Sequence, residues 1–271
     1  MSSQRQKIDE NVNDSKNTRL TIADVAIGDL RTDIIAHMSR FSKIAKMFLD
    51  ESKELGRPID VLDVGCGELY PPKIFYKAHV CKKSEIIGSY LGIDIDDKML
   101  AKQLQQCKSL LSLINGRLIV QDVTANPRFP LQDNSIDFAV STEVIEHMKP
   151  EFVPAWLDDI DRCLRPGGLV YLSTPNHDGS NEKLPEDHVY EWGYQELKTE
   201  LGKRWKLVAH TGTFIQLNNF KRANREHKKI PEELVALYHA RFDGFWLRNV
   251  LAAPYPEVSN NVAWILRKEA R

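Results

Sequence analysis

Cysteine is scarce in this chain of 271 residues: Cys66, Cys81, Cys107 and Cys163 are the only four, and no two of them form a CxxC pair. That scatter gives no support to a cysteine zinc site or to a disulfide scaffold. Long apolar runs are absent too. No stretch approaches the roughly 20 apolar residues that span a bilayer, and the first residues lack the basic start and apolar run of a secretory signal. The formal net charge is only −1, which gives no global pull toward nucleic acid or an anionic membrane. The expectation is a soluble, cytoplasmic protein with no membrane partner.

What is present is enough apolar residue, 42% against 28% charged, to bury one substantial core. A single α/β domain over residues 21–271 fits this better than two independent units. Residues 1–20 are polar and nearly free of large apolar side chains, so a disordered tail is expected there. From Asp29 onward Ile34, Met38, Phe41, Ile44 and Phe48 recur at spacings of four and three, which predicts one buried face of a helix over 29–56, closed by Gly56.

The stretch around which the chain is organised is Val61 to Tyr70, VLDVGCGELY. A short β-rich run stops at Gly65-Cys66-Gly67, as a buried parallel strand does when it turns into a helix. Glycine lets that loop bend sharply and lets its backbone approach a ligand. A second apolar strand, Tyr90 to Ile93, ends in Asp94, the acidic position that holds the hydroxyls of a ribose. Asp96 is a candidate N-cap for a helix with Leu104, Leu110 and Leu113 at helical intervals. Arg117 to Val120 reads as a third strand delivering Gln121, Asp122 and Val123 to the same sheet edge. Asp122 is then either an adenine-binding group or a turn aspartate.

These residues resemble the class I S-adenosylmethionine-dependent methyltransferases, from about Ile59 to about Gln216. The LRPGG turn at Leu164–Gly168 is among the most recognisable features of the resemblance. It implies a Rossmann-like, mostly parallel sheet of seven strands in the order 3-2-1-4-5-7-6, with helices on both faces. It implies S-adenosylmethionine as cofactor, with Asp63, Gly65, Cys66 and Gly67 along its methionine side, Asp94 at the ribose, and Asp122 and Val123 at the adenine. Ile95 and Thr142 complete the expected cofactor contacts. The helix before the first strand either packs on the sheet or also covers the cofactor. The sequence departs from the pattern at Leu69, where a third glycine is usual, and Pro71-Pro72 after it predicts a helix that starts late.

Strand four leaves through Ser141-Thr142-Glu143-Val144-Ile145-Glu146-His147-Met148. A helical turn starting near Thr142 would put Glu143, Glu146 and His147 on one face. With His188 in Asp187-His188-Val189-Tyr190-Glu191-Trp192, two carboxylates and two imidazoles are expected to converge as the catalytic group. This arrangement, with Thr174-Pro175-Asn176, is similar to the metal site of the small-RNA 3′-terminal 2′-O-methyltransferases. That likeness implies Mg²⁺ or Mn²⁺ held by Glu143, Glu146, His147 and His188, and activation of a ribose hydroxyl. The other reading is a metal-free enzyme in which His147 or His188 acts as base or orients the acceptor.

The (N/D)PP(Y/F) motif of amino-group methylation does not follow strand four, so oxygen is the favoured acceptor. The expected function is methyl transfer to a hydroxyl of a small-molecule, sugar or nucleotide-bearing acceptor. Metal-dependent 2′-O-methylation of a nucleic-acid terminus and a catalytically silent cofactor-binding subunit are the alternatives. Residues 217–259, with Lys221, Arg222, Arg225, Lys228 and Lys229 ahead of an expected helix, form an insertion between strands six and seven. It reads either as a solvated helix with an apolar hairpin or as a device for capturing an anionic or nucleotide-bearing acceptor.

Overall fold

The computed structural model describes residues 32–77, 86–177, 184–215 and 252–270, with side chains from His37 onward except that of Lys77. The expected tail, Cys81 and residues 217–251 of the expected insertion lie outside the described residues.

Helix α1 (Thr32–Leu55) buries Phe41, Ile44 and Phe48, the face its periodicity predicts. It stops at Gly56, where φ is +64°. Gly56 N donates to Lys53 O and Arg57 N to Ser52 O, the paired bonds that close a helix on a left-handed residue. The chain continues through β1 (Ile59–Val64), α2 (Tyr70–Lys77), β2 (Ile87–Asp94), α3 (Asp97–Gln106), α4 (Lys108–Leu113), β3 (Gly116–Val120) and β4 (Ile136–Thr142). Then come α5 (Val153–Cys163), β5 (Leu164–Pro175), α6 (Tyr194–Gly202), β6 (Lys206–Thr213) and β7 (Asn261–Arg267).

The seven strands form one sheet in the order β3-β2-β1-β4-β5-β7-β6. β1 to β5 pair in parallel, and β7 runs antiparallel to both neighbours. Because the central strands are covered on both faces, they are apolar nearly throughout. Leu62, Val64, Ala139, Val170 and Leu172 pack with Trp156 and Ile160 of α5 and Leu197 of α6. Val61, Tyr90, Phe138, Val140 and Tyr171 pack on the opposite face with Phe41, Ile44 and Phe48 of α1 and Phe75 of α2.

Two expectations about helices are revised. Asp96 does cap a helix, accepting from Met99 N at 2.9 Å. That helix breaks at Cys107 into α3 and α4, however, and Leu104 is 48% exposed while Leu110 is buried. No α-helix begins near Thr142. Glu143 takes φ +55°, a left-handed conformation that costs a side-chain-bearing residue about 1 kcal/mol and that no right-handed helix contains. The next helical element is a single 3-10 turn, Ile145–His147.

Candidate active site

All the strand ends that carry site residues lie at one edge of the sheet, because β1 to β4 run parallel. Gly65 N and Cys66 N both donate to Ile93 O, at 2.8 and 3.0 Å, which pins the glycine loop to the end of β2. Gly65 (φ +70°) and Gly67 (φ +47°) are left-handed, and a Cβ on Gly65 would come within 2.2 Å of Val144 Cγ2. Leu69 shares the left-handed conformation at φ +60°. The third glycine of the motif is therefore replaced in side chain but not in backbone, and the Leu69 side chain is fully buried. α2 starts at Tyr70, directly after Leu69, with Pro71 and Pro72 as its second and third residues.

Asp63 sits one residue before the end of β1, buried, and accepts a hydrogen bond from Tyr90 Oη at 2.6 Å. Burial pushes its carboxyl up to about 7; the Tyr90 bond opposes that and the nearby Asp94 charge adds to it. Burial, then Asp63 and Asp94, likewise push the Cys66 thiol up. Asp94 closes β2 and accepts from Gly67 N at 2.9 Å and from Asp96 N at 3.0 Å. One backbone donor on each oxygen leaves further lone pairs on this carboxylate for hydroxyls. Ile95 follows, an apolar side chain left 66% exposed.

Asp122 does lie beyond β3 at the same edge, next to Asp94, whose carbonyl accepts from Gln121 N. Its Oδ1 closes a tight local turn, accepting from Thr124 N, Thr124 Oγ1 and Ala125 N. The two Thr124 bonds hold its carboxyl below the usual range. Asp122 thus closes its own turn through Oδ1, while Oδ2 stands outside those bonds. Val123 is buried in the core. Thr142, the last residue of β4, pairs with Ser173.

The four residues expected to converge separate into three and one. Glu146, His147 and His188 each bring a ligand atom within 4.8 Å of the other two. Glu143 is not among them. Its carboxylate accepts from Ser173 Oγ at 3.0 Å and Asn261 Nδ2 at 2.8 Å and lies 3.1 Å from Arg40 Nη1. Burial raises its pKa, but Arg40, Asn261, His37 and Ser173 together hold it below the ordinary carboxylate value.

Within the trio each group is fixed by a different segment. His147 Nδ1 bonds to the carbonyl of Asp187 at 2.7 Å, and His188 Nδ1 to Glu191 Oε1 at 2.6 Å. A carbonyl only accepts, so His147 Nδ1 donates to Asp187 O, and in both rings Nε2 is the nitrogen outside these bonds. Glu146 is 1% exposed and accepts from Thr174 Oγ1 at 3.0 Å. Burial, then the charge of Glu143, raises its pKa. Its backbone carbonyl accepts from Val189 N and Tyr190 N, so segment 187–190 is latched onto the 3-10 turn. The two rings meet edge-on with centroids 5.3 Å apart.

The sequence pattern did not point to Arg40, Tyr90, Ser173 or Asn261. The available signal for Arg40 was a charged residue next to Phe41 on the apolar side of a helix; nothing in the sequence marks the other three.

Comparison with known proteins agrees with this geometry. A family model described as "Methyltransferase domain" matches residues 36–226. A probable S-adenosylmethionine-dependent methyltransferase of Mycolicibacterium smegmatis is 30% identical over 146 residues, which are 52% of this chain and 49% of that protein. One of Mycobacterium tuberculosis is 28% identical over 147 residues, 52% of this chain and 46% of that protein. The match thus spans about half the length of these curated relatives. Among solved structures, the 1,6-didemethyltoxoflavin-N1-methyltransferase of Burkholderia thailandensis with 1,6-didemethyltoxoflavin and S-adenosylhomocysteine bound has a TM-score of 0.52 at 15% identity, covering 92% of this chain and 85% of that one. An S-adenosylmethionine-dependent methyltransferase of Archaeoglobus fulgidus gives 0.51 at 14% identity, covering 92% and 100%. These likenesses show a shared fold.

Proposed function

The chain belongs to the methyltransferase-domain family of class I S-adenosylmethionine-dependent enzymes, and from that premise we propose that it transfers the donor's methyl group to a hydroxyl of its acceptor. The donor would lie across the ends of β1 to β4, its methionine part along the glycine loop, its ribose on Asp94 and its adenine over Ile95. The sulfonium already makes the methyl electrophilic. The protein's main task is to hold the acceptor oxygen in line with it.

The observation that carries the choice of a hydroxyl is the pair of imidazoles gathered with Glu146, each with its Nδ1 bonded to Asp187 O or Glu191 Oε1, which would leave the Nε2 lone pair of a neutral ring to an acceptor. A hydroxyl needs a partner for its proton as the new bond forms, and such a lone pair supplies one. His147 is exposed and open to an acceptor, while the His188 side chain is buried and held by Glu191. The exposed Val189 stands beside them.

The donor set also fits a divalent cation. It offers one carboxylate and two imidazoles, each ring braced through its second nitrogen, as ligand histidines usually are. Glu146, His147 and His188 would hold the ion, and their nitrogen content suits Mn²⁺ better than Mg²⁺. Glu143, committed to Arg40, Ser173 and Asn261, would not. When bound, the ion would lower the pKa of an acceptor hydroxyl. With or without it, Glu146, His147 and His188 orient that oxygen, and segment 187–190 keeps both rings in place.

The test is transfer of a labelled methyl from S-adenosylmethionine to pooled small-molecule, sugar and nucleotide acceptors, with the product's methyl position read by mass spectrometry. The expected result is an O-methyl product, reduced about a hundredfold or more in His147→Ala and His188→Ala. A methyl group found on nitrogen, or turnover unaltered in both variants, overturns the reading. Loss of activity in EDTA with recovery in Mn²⁺ supports the cation, and indifference to the chelator removes it.

A further inference from the structure

Asn176, the residue after β5, takes no part in the chemistry described so far. It is 7% exposed, and its Nδ2 donates to Ser259 O at 2.9 Å and to Glu257 O at 3.3 Å. A carbonyl oxygen only accepts, so these two bonds fix which end of the amide is which. The other end, Oδ1, is buried with no hydrogen-bond partner among the described residues. Asn260 Oδ1 is buried without a partner among them as well. A buried amide oxygen is costly to leave unpaired, so each of these calls for a donor.

The two amides are neighbours. Pro175 pairs with Asn261 in the antiparallel β5–β7 ladder, and Asn176 N donates to Asn260 O at 2.9 Å, which carries the pairing one step further. Residues directly opposite each other in such a ladder share a face. That face is the one bearing Glu146, because Thr174, two residues before Asn176, donates to Glu146 Oε2, and side chains two apart on a strand lie on the same side. The turn that anchors Asn176 Nδ2 lies there too. A Cβ on Gly212 would collide with Ser259 Oγ, and Gly212 pairs with Val262, which packs in the core on the α5 side.

Segment 187–193 links these amides to the catalytic trio. Val189 N and Tyr190 N donate to Glu146 O, and His177 N donates to Trp192 O at 3.1 Å. The chain that carries His188 therefore runs directly to the backbone beside Asn176. Neither amide oxygen carries a charge, and burial, followed by the charge of Glu143, raises the pKa of Glu146. The face thus favours a neutral donor over an ammonium ion.

We propose that Asn176 and Asn260 bind a second hydroxyl of the acceptor, and that the acceptor is accordingly a polyhydroxylated molecule, such as a sugar or cyclitol, rather than a lone alcohol or phenol. This rests on the reading that the reacting oxygen sits at His147 and His188. Residues two apart on a strand are separated by about 7 Å. That is farther than the two oxygens of a vicinal diol reach, and it suits hydroxyls placed across a six-membered ring.

The test is saturation-transfer NMR on the full chain loaded with S-adenosylhomocysteine, with trans-cyclohexane-1,4-diol, cyclohexanol and trans-4-aminocyclohexanol as probes. It needs no turnover. The wild type is expected to bind the diol about fivefold or more tightly than cyclohexanol, the range for one buried group left unpaired. Asn176→Leu should lose that preference, with cyclohexanol binding within about twofold of wild type. Because Asn176→Leu also removes the bonds to Glu257 and Ser259, Asn260→Ala is measured beside it. That variant deletes an oxygen with no partner to lose and should reduce the same preference. Equal binding of diol and cyclohexanol, no binding of the diol, an intact preference in both variants, or tighter binding of the aminocyclohexanol than of the diol each overturn the proposal. A methyl group found on nitrogen would instead sink the hydroxyl reading, whereas O-methylation by an enzyme indifferent to the second hydroxyl would sink only this one.

Discussion

Ser173 and Thr174 are consecutive residues of β5, and each grips a different carboxylate: Ser173 Oγ donates to Glu143 Oε1 and Thr174 Oγ1 to Glu146 Oε2, both at 3.0 Å. Successive strand residues face opposite sides of a sheet. Glu143 is therefore held on the α1 side with Arg40, and Glu146 on the α5 side with His147 and His188. The two carboxylates should fail differently when removed. Glu143→Ala strands a buried guanidinium and is expected to cost about 3 kcal/mol or more of unfolding free energy, read as a lower denaturation midpoint. Glu146→Ala removes one hydrogen-bonded group, is expected to cost about 1 to 2 kcal/mol, and should instead abolish most methyl transfer. Equal stability losses would contradict the two-sided arrangement.

Asp63 gives the fold a pH dependence of defined sign. Its folded-state pKa, about 7, lies above the 3.8 of an ordinary aspartate. The native state therefore keeps a proton that the unfolded chain releases across that interval. Asp63's contribution is fully present below about pH 4 and is lost as pH rises through about 7. The loss amounts to a few kcal/mol, because each tenfold difference in proton affinity between the two states is worth about 1.4 kcal/mol. Urea unfolding at a series of pH values should show this decline in the wild type, and Asp63→Asn should flatten it. A decline of the same size in the variant would assign it to another group.

The sequence made the sheet legible for a physical reason: strands buried on both faces must be apolar, and parallel strands must deliver their ends to one edge, so Asp63, Asp94 and Asp122 fall in series by pattern alone. The face of α1 was legible because Phe41, Ile44 and Phe48 follow helical spacing over several turns. The grouping of Glu143 with Glu146 failed because spacing reports a shared face only where the backbone is helical, and Glu143 is left-handed. No residue type signals that conformation as glycine would. The break at Cys107 was hidden for a similar reason, since apolar residues continue on both sides of it. Arg40 and Asn261 meet Glu143 from distant elements of the chain, and local pattern carries no trace of such contacts.

Leu69 combines a buried side chain with a backbone that favours glycine, so two opposed effects can be separated there. At an ordinary position a glycine variant is about 0.5 to 1 kcal/mol less stable than the alanine variant. At φ +60° glycine also escapes a strain of about 1 kcal/mol or more that alanine keeps. Leu69→Ala and Leu69→Gly are both expected to lose about 2 to 5 kcal/mol through the emptied core site, with the glycine variant at least as stable as the alanine variant. Denaturation midpoints measured side by side decide it. A clearly weaker glycine variant would mean that the left-handed turn is not kept in solution.

Gly65 faces the Val144 side chain where the glycine loop meets the strand-four exit, and a double substitution can test that approach. Gly65→Ala meets two obstacles: a left-handed φ of +70° and a Cβ only 2.2 Å from Val144 Cγ2. Val144 is β-branched and cannot swing aside freely, so the loop itself must shift. Overpacking of this kind costs about 1 to 3 kcal/mol, added to about 1 kcal/mol or more of backbone strain. S-adenosylhomocysteine affinity should fall with stability, because the same loop lines the expected methionine site. Val144→Ala in the Gly65→Ala background removes the collision but leaves the strain, so it should recover the overpacking share of the loss and no more. Purely additive losses would show that the two residues do not touch, since only sites in contact couple in such a cycle.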